Sequence, residues 1–519
     1  MKPELAETQS RGLTGVPLLF AAVILTALAA GTGWGIRGQY GHETGAMIAG
    51  TLASLTLVLL FIPNALSLNG ARAAAMMAAA IGIGGSMTYG QTVGLTHDHD
   101  IIGNTDAWRW GMLGLFLKGG VWIGFGGFFL GIGLGGRKYR PLEMTLMLAA
   151  AVGLYVLGLW LINSPFDPTN KRLPFMYFSD HWQFEPEKFD AGEMKPRWET
   201  FGGYWFALIG LTLYARLVRG DRLAMRMALV GVLAGGLGFS GGQCTQSAHA
   251  WHPEWFQEEG IFGFGSSVFS RLNWWNVMET SFGVIWGAVM AFGLWMNRHL
   301  IDVSEDDNYV SLAAPAEIML ACMYVLFVLV GDFGYLNPDR LPIFRPDFAA
   351  THTFEFISYW YVEVGIVIAA IPLIGISGGR LWPYMTLLVM IAFPICGKTL
   401  RAVGFNPDNL WYPGLAWFCL VQMPLAWGLV IAAWLIQRSQ RHRTVTFAAT
   451  TLIFTSVLYF SLNSVFWNAW PLGPPKAWSQ MNPNQVFNLT AMICLVAASL
   501  FGILVNRNAG IDIGNRADS

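Results

Sequence analysis

Arg37, Gln39, His42 and Glu43 fall within seven residues of the stretch GTGWGIRGQYGHETGAMIAGTLASL, which begins at Gly31. Together these groups can hold a polar ligand by hydrogen bonds, transfer a proton near neutral pH, or contribute to a metal site. The same residue types recur further along the chain. Gln91 closes GIGGSMTYGQ and Gln243 closes GGLGFSGGQ, while Glu199 in WETFG and Glu279 in METSFG repeat the Glu-Thr of HETG at Glu43. Two local clusters, THDHD with His97 and Asp98 and QSAHAWHPEW with His249, add histidine and carboxylate. Those are the usual ligands of zinc and similar ions, so a divalent metal is a candidate cofactor. No HExxH or equivalent signature accompanies them, and hydrated loop histidines explain the clusters equally well.

The elements that must position these residues are membrane helices. The 519-residue chain is 54% hydrophobic and only 12% charged, against roughly a quarter charged in soluble domains. Apolar runs of about twenty residues, the length that crosses a bilayer, recur from end to end. The net charge of −1 says nothing about nucleic acid, but no Lys/Arg-rich run long enough to hold a phosphate backbone is present, so no nucleic-acid partner is expected. Five cysteines with no CxxC spacing exclude a disulfide framework and a cysteine metal site. The sequence predicts one polytopic, all-α integral membrane domain over 1–519, with the lipid bilayer as its partner. Fourteen spans are expected near 15–37, 44–63, 71–93, 109–134, 141–163, 201–219, 222–243, 274–297, 311–331, 354–376, 380–398, 411–436, 443–463 and 485–506.

The linkers alternate between short basic ones, such as Arg137, Lys138 and Arg140, and long ones rich in Trp, Pro, Asn and acid. The positive-inside rule assigns the basic set and both termini to the cytoplasm, as in a multi-pass protein of the bacterial inner membrane. Three odd-numbered helices end in Gly-Gln, at Gln39, Gln91 and Gln243, and three even-numbered ones start with Glu-Thr, at Glu43, Glu199 and Glu279. This describes seven helical hairpins starting near 15, 71, 141, 222, 311, 380 and 443, with the match fading in the last two. The glycines permit close helix packing and broken helix ends where protein covers them.

Equal depth of these junctions predicts an outward-facing polar pit. Arg37, Gln39, His42 and Glu43 are expected to form one wall, shared with Gln91, His97, Asp98, Gln243, His249 and Glu279. Helix capping by Glu is the plainer explanation of Glu-Thr. Tryptophans crowd the same side, Trp275 among them; interfacial belts account for many, and indole faces beside amides and carboxylates also suit a sugar ring. Lys118, about eight residues into the fourth helix, is expected to turn into the bundle and pair with Glu43 or Glu279. Glu363, in YWYVEVG, is similarly deep. GKT at Lys398 is not a phosphate-binding loop, because Ala392 stands where its first glycine would be. Three functions fit: a transporter or channel for a small polar solute such as a saccharide; a membrane-embedded hydrolase or transferase with its site on the non-cytoplasmic face; and a receptor or scaffold.

Overall fold

The computed structural model describes residues 14–179, 181, 183–193, 196–303, 309–329, 365–404, 412–469, 472 and 482–517. Glu363, His352 and the loop that precedes the tenth expected span lie outside the described residues. The helices, in chain order, are α1 (Gly15–Arg37), α2 (Thr44–Phe61), α3 (Ser67–Ile81), α4 (Gly90–His97), α5 (Thr105–Leu134), α6 (Pro141–Ile162), α7 (Phe201–Leu213) and α8 (Arg222–Trp251). They continue with α9 (Trp274–Met296), α10 (Ala314–Val328), α11 (Gly365–Gly378), α12 (Leu381–Val403), α13 (Pro413–Gln437), α14 (Thr444–Phe466) and α15 (Pro483–Ala517). No strand occurs among the described residues, only two isolated bridges.

Eleven of these helices are long and apolar enough to cross a bilayer, and α10 and α11 are shorter apolar helices. The expected third span is not continuous. Its helix stops at Ile81, passes through a tight turn at Gly82–Ser86 and restarts at Gly90. The run GIGGS explains the break. Gly85 lies against the His42–Glu43 backbone and Gly84 against Trp122, where any Cβ would collide. The freed backbone is covered by protein, the condition under which broken helices survive in a membrane. The seventh span also runs on as helix to Trp251, past the expected end at 243.

Helices α2 and α5 are enclosed by neighbours, whereas α6, α13 and α15 are peripheral. The peripheral helices expose Leu142, Trp160, Trp427 and Phe501, as lipid-facing surfaces do. The longest helix–helix contact, α5 with α8, is made by glycine. A Cβ on Gly119 or Gly235 would enter the other helix's backbone carbonyl, so the two axes approach as closely as backbones allow. Lipid tails are as apolar as leucine, so this close packing replaces hydrophobic exclusion as the force between helices.

Junctions gather at two ends of the bundle. At one end the Leu66 and Arg443 segments bridge, Tyr309 Oη donates to the carbonyls of Tyr139 and Ser377, and Arg72 donates to the Gly379 carbonyl. These are the short basic linkers. The opposite end collects the end of α1, the start of α9, the end of α14 and the start of α15, and there the candidate site lies.

Candidate functional site

A cavity of about 640 Å³ opens between these four helix ends. That size is within the range of roughly 300–1,000 Å³ typical of small-molecule pockets. Its base is an ion pair. Arg37, the last residue of α1, is 1% exposed, and its Nη2 meets Glu279 Oε1 at 2.9 Å. The same guanidinium donates to Tyr89 Oη at 2.8 Å and lies 3.0 Å from His42 Nδ1, which is itself 2.8 Å from Tyr89 Oη. Trp275, one turn before Glu279 on α9, donates its indole N–H to Glu279 Oε1 at 3.3 Å. Beneath Arg37 lie the faces of Trp34 and Trp122, 5.1 and 5.4 Å from its Cζ, with Phe282 and Trp286 packed edge-on to Trp34. A buried cation held by one carboxylate, one phenol and aromatic faces has its hydrogen bonds strengthened by the low local dielectric.

The walls are carboxamides and aromatic rings. α1 contributes Gln39, and the start of α9 contributes Asn273, Trp275 and Asn276. The far wall, from α14 and α15, contributes Asn463, Phe466, Trp467, Asn484, Gln485 and Asn488. Asn273 caps α9 by accepting from Asn276 N, and Asn276 Nδ2 reaches back to the Gly35 carbonyl at 2.5 Å. These bonds tie the start of α9 to the last turn of α1.

Of the residues the sequence singles out, Gln39, His42, Trp275 and Glu279 line the cavity, and Arg37 lies behind them on Glu279. The others lie elsewhere. Glu43 sits beside the broken third span, with Ser86 Oγ 3.5 Å from Oε1. Gln91 lies on α4 and Gln243 is buried on α8, its amide donating to Thr96 Oγ1 at 2.7 Å. His249 stacks on Trp274 at 4.2 Å. His97 bonds the Val93 carbonyl and touches the cavity only through its ring, 6.2 Å from that of Trp275. The break after Ile81 separates α4, which carries Gln91 and His97, from α3, and α4 packs against α5 and α8.

Lys118 is buried, as expected, but with a different partner. Its Nζ meets Glu199 Oε1 at 2.5 Å and also donates to the Thr88 carbonyl at 2.6 Å and Thr92 Oγ1 at 2.7 Å. Glu199 accepts further bonds from Phe178 N and Ser179 Oγ. Neither Glu43 nor Glu279 is its partner, because Glu279 is taken by Arg37. Lys398 repeats the arrangement around the first junction: its Nζ donates to the Tyr40 carbonyl at 2.7 Å and Thr44 Oγ1 at 2.9 Å. In both cases an ammonium joins the carbonyl of one residue to the hydroxyl of a threonine four positions on, at a glycine-containing turn that starts a helix. Gly397-Lys398-Thr399 lies near the end of α12.

Asp98 belongs to a surface latch. His181 lies 3.3 Å from Asp98 through Nε2 and 2.9 Å from Glu185 through Nδ1, and Lys188 joins Asp100 at 2.7 Å to Glu185 at 2.8 Å. Burial opposes protonation of His181, but its hydrogen bonds to the two carboxylates outweigh this and raise its pKa. The His181 hydrogen bond in turn lowers that of Asp98. The raised histidine contributes fully below its ordinary value of 6.5 and is lost as pH rises through the raised one; the depressed aspartate is lost as pH falls through its lowered one. Amide exchange around His181, corrected for intrinsic rate, is therefore expected to quicken between pH 6 and 9, and His181→Gln to flatten that dependence. Unchanged protection across this range would show that the latch does not hold the loop.

Among the described residues no group of three or more His, Cys, Asp and Glu side chains converges in a way that could hold a metal ion. The two histidine clusters are instead occupied by the latch and by stacking on Trp274 and Trp255. Sequence reasoning missed Tyr89 and the amides of α14 and α15. The one signal for the α15 amides was the density of asparagine in MNPNQVFN.

The chain matches no protein-family model, and comparison with curated proteins finds none significantly similar. Its apolar helices and lipid-type surface define a helical, multi-pass membrane protein.

Proposed function

We propose that the protein is a transporter that takes a small polar solute of saccharide type into this cavity and passes it across the bilayer. One observation carries the reading: carboxamides and indole faces share one cavity at the end of a membrane-helix bundle. Carboxamides donate to and accept from hydroxyls, and rings cover the apolar C–H face of a sugar. The basic junctions at the opposite end favour a cavity that opens away from the cytoplasm. A hydrolase acting on glycosides ordinarily needs two carboxylates flanking the bond. The lining, among the described residues, holds Glu279 alone, already paired with Arg37.

The test is flux. Purified protein in proteoliposomes is expected to equilibrate or accumulate labelled monosaccharides faster than empty vesicles, and Trp275→Ala is expected to remove most of that flux. Binding without flux across a broad panel of polar solutes would refute transport, and appearance of a chemically altered product would replace it with catalysis.

A further inference from the structure

The α14–α15 wall holds a hydrogen-bonding pair that the ion-pair base does not use. Asn463 is 1% exposed, and its Oδ1 accepts from Gln485 Nε2 at 2.8 Å. That bond leaves the Asn463 Nδ2 amide and the Gln485 Oε1 oxygen, both buried, with no hydrogen-bond partner among the described residues. Both residues line the cavity. One leftover group is an obligate donor and the other an obligate acceptor, on two side chains joined by the bond between their amides. Exchanging O and N in both amides changes nothing, because one donor and one acceptor still remain. Buried polar groups left in this way cost free energy that a matching ligand removes.

The complement of an adjacent donor and acceptor is a pair of neighbouring hydroxyls, each of which both donates and accepts. A carboxylate offers acceptors only and would face the Gln485 oxygen; an ammonium offers donors only and would face the Asn463 amide. The ion pair at the base of the cavity offers no net charge to an ionic ligand. Arg37 and Glu279 neutralise each other at 2.9 Å, and Arg271 is held through Nε by the Ser267 carbonyl at 2.8 Å.

We infer that the ligand is an uncharged vicinal-diol solute, a neutral pyranose, and that Asn463 and Gln485 read its diol. This rests on the reading of the cavity as the solute site. Trp275 and Trp467 provide the apolar faces against which such a ring lies. The pair is specificity-determining because a site built to bond a hydroxyl strongly rejects the analogue that lacks it.

The experiment is a binding titration on the full-length protein in detergent, by calorimetry and tryptophan fluorescence. The probes are D-glucose, D-galactose and D-mannose, then single-deoxy forms of whichever binds, and D-glucuronate and D-glucosamine. At least one neutral hexose is expected to bind. Asn463→Asp, which keeps the size and removes the donor, and Gln485→Leu are each expected to weaken it tenfold or more, with the melting temperature monitored as a check on folding. One deoxy analogue should bind the wild type as weakly as the variants bind the parent sugar, and should be insensitive to either substitution. The inference is overturned if no neutral hexose binds, if folded Asn463→Asp keeps wild-type affinity, or if glucuronate or glucosamine binds as tightly as the neutral sugar. Sugar binding of the expected kind without vesicle flux would refute transport and leave this inference standing. Flux of charged solutes alone would do the reverse.

Discussion

Glu279→Gln is expected to destabilise the folded protein by about 3–5 kcal/mol, the usual cost of removing one partner from a buried ion pair, and to abolish solute binding. Glutamine matches glutamate in size and its oxygen can still accept from Arg37, so any loss reports charge and not packing. Arg37 would remain a cation, 1% exposed, above the rings of Trp34 and Trp122, held by Tyr89, His42 and a neutral amide in place of the Glu279 carboxylate. The double variant Arg37→Met with Glu279→Gln removes both charges and is expected to melt at a higher temperature than Glu279→Gln alone. Thermal unfolding of the detergent-solubilised protein measures both. Additive losses in the double variant would mean that the two side chains act separately.

Lys118→Met is expected to cost a similar amount, about 3–5 kcal/mol, because it strands a carboxylate deeper in the bundle. Glu199 keeps its bonds from Phe178 N and Ser179 Oγ, so the loop they anchor should stay ordered. Glu199→Ala removes those bonds as well and is expected to release residues 177–179, seen as faster amide exchange there. Neither residue borders the cavity, so the surviving folded fraction of either variant should bind solute with wild-type affinity. Loss of affinity in fully folded Lys118→Met would show that the two ion pairs communicate.

Much of this site was legible because charge in hydrocarbon is rare and has to be compensated. Arg37 and Glu279, 242 positions apart, could be assigned to one depth from helix phase and linker character alone. The same reasoning placed Lys118 in the bundle interior but could not choose its partner: three Glu-Thr starts offered equivalent carboxylates, and only packing decides which faces which. The break between α3 and α4 was foreshadowed by its glycines, yet a hydropathy pattern does not record it. Equal depth set Gln91, His97 and Asp98 in the pit, and none of the three is in the lining of this cavity. The amides of Asn463, Gln485 and Asn488 were invisible for a different reason. Neutral carboxamides at a helix end are unremarkable, and their hydrogen-bonding arrangement exists only once α14 and α15 meet α1 and α9.

The separation of Arg37 from Glu279, and of Tyr40 from Lys398, sets an order of assembly. Synthesis at about 5–20 residues per second delivers Glu279 on the order of 12–50 s after Arg37, and Lys398 on the order of 18–70 s after Tyr40. Until then the first hairpin carries an uncompensated cation and an unbonded carbonyl at its tip. A charge of that kind stays in the headgroup layer, where water solvates it. The α1–α2 hairpin is therefore expected to insert shallowly until α9, and later α12, supply Glu279 and Lys398. A nascent chain halted before Trp274 has no means of burying Arg37, so quality control could recognise an unfinished molecule by that exposed guanidinium.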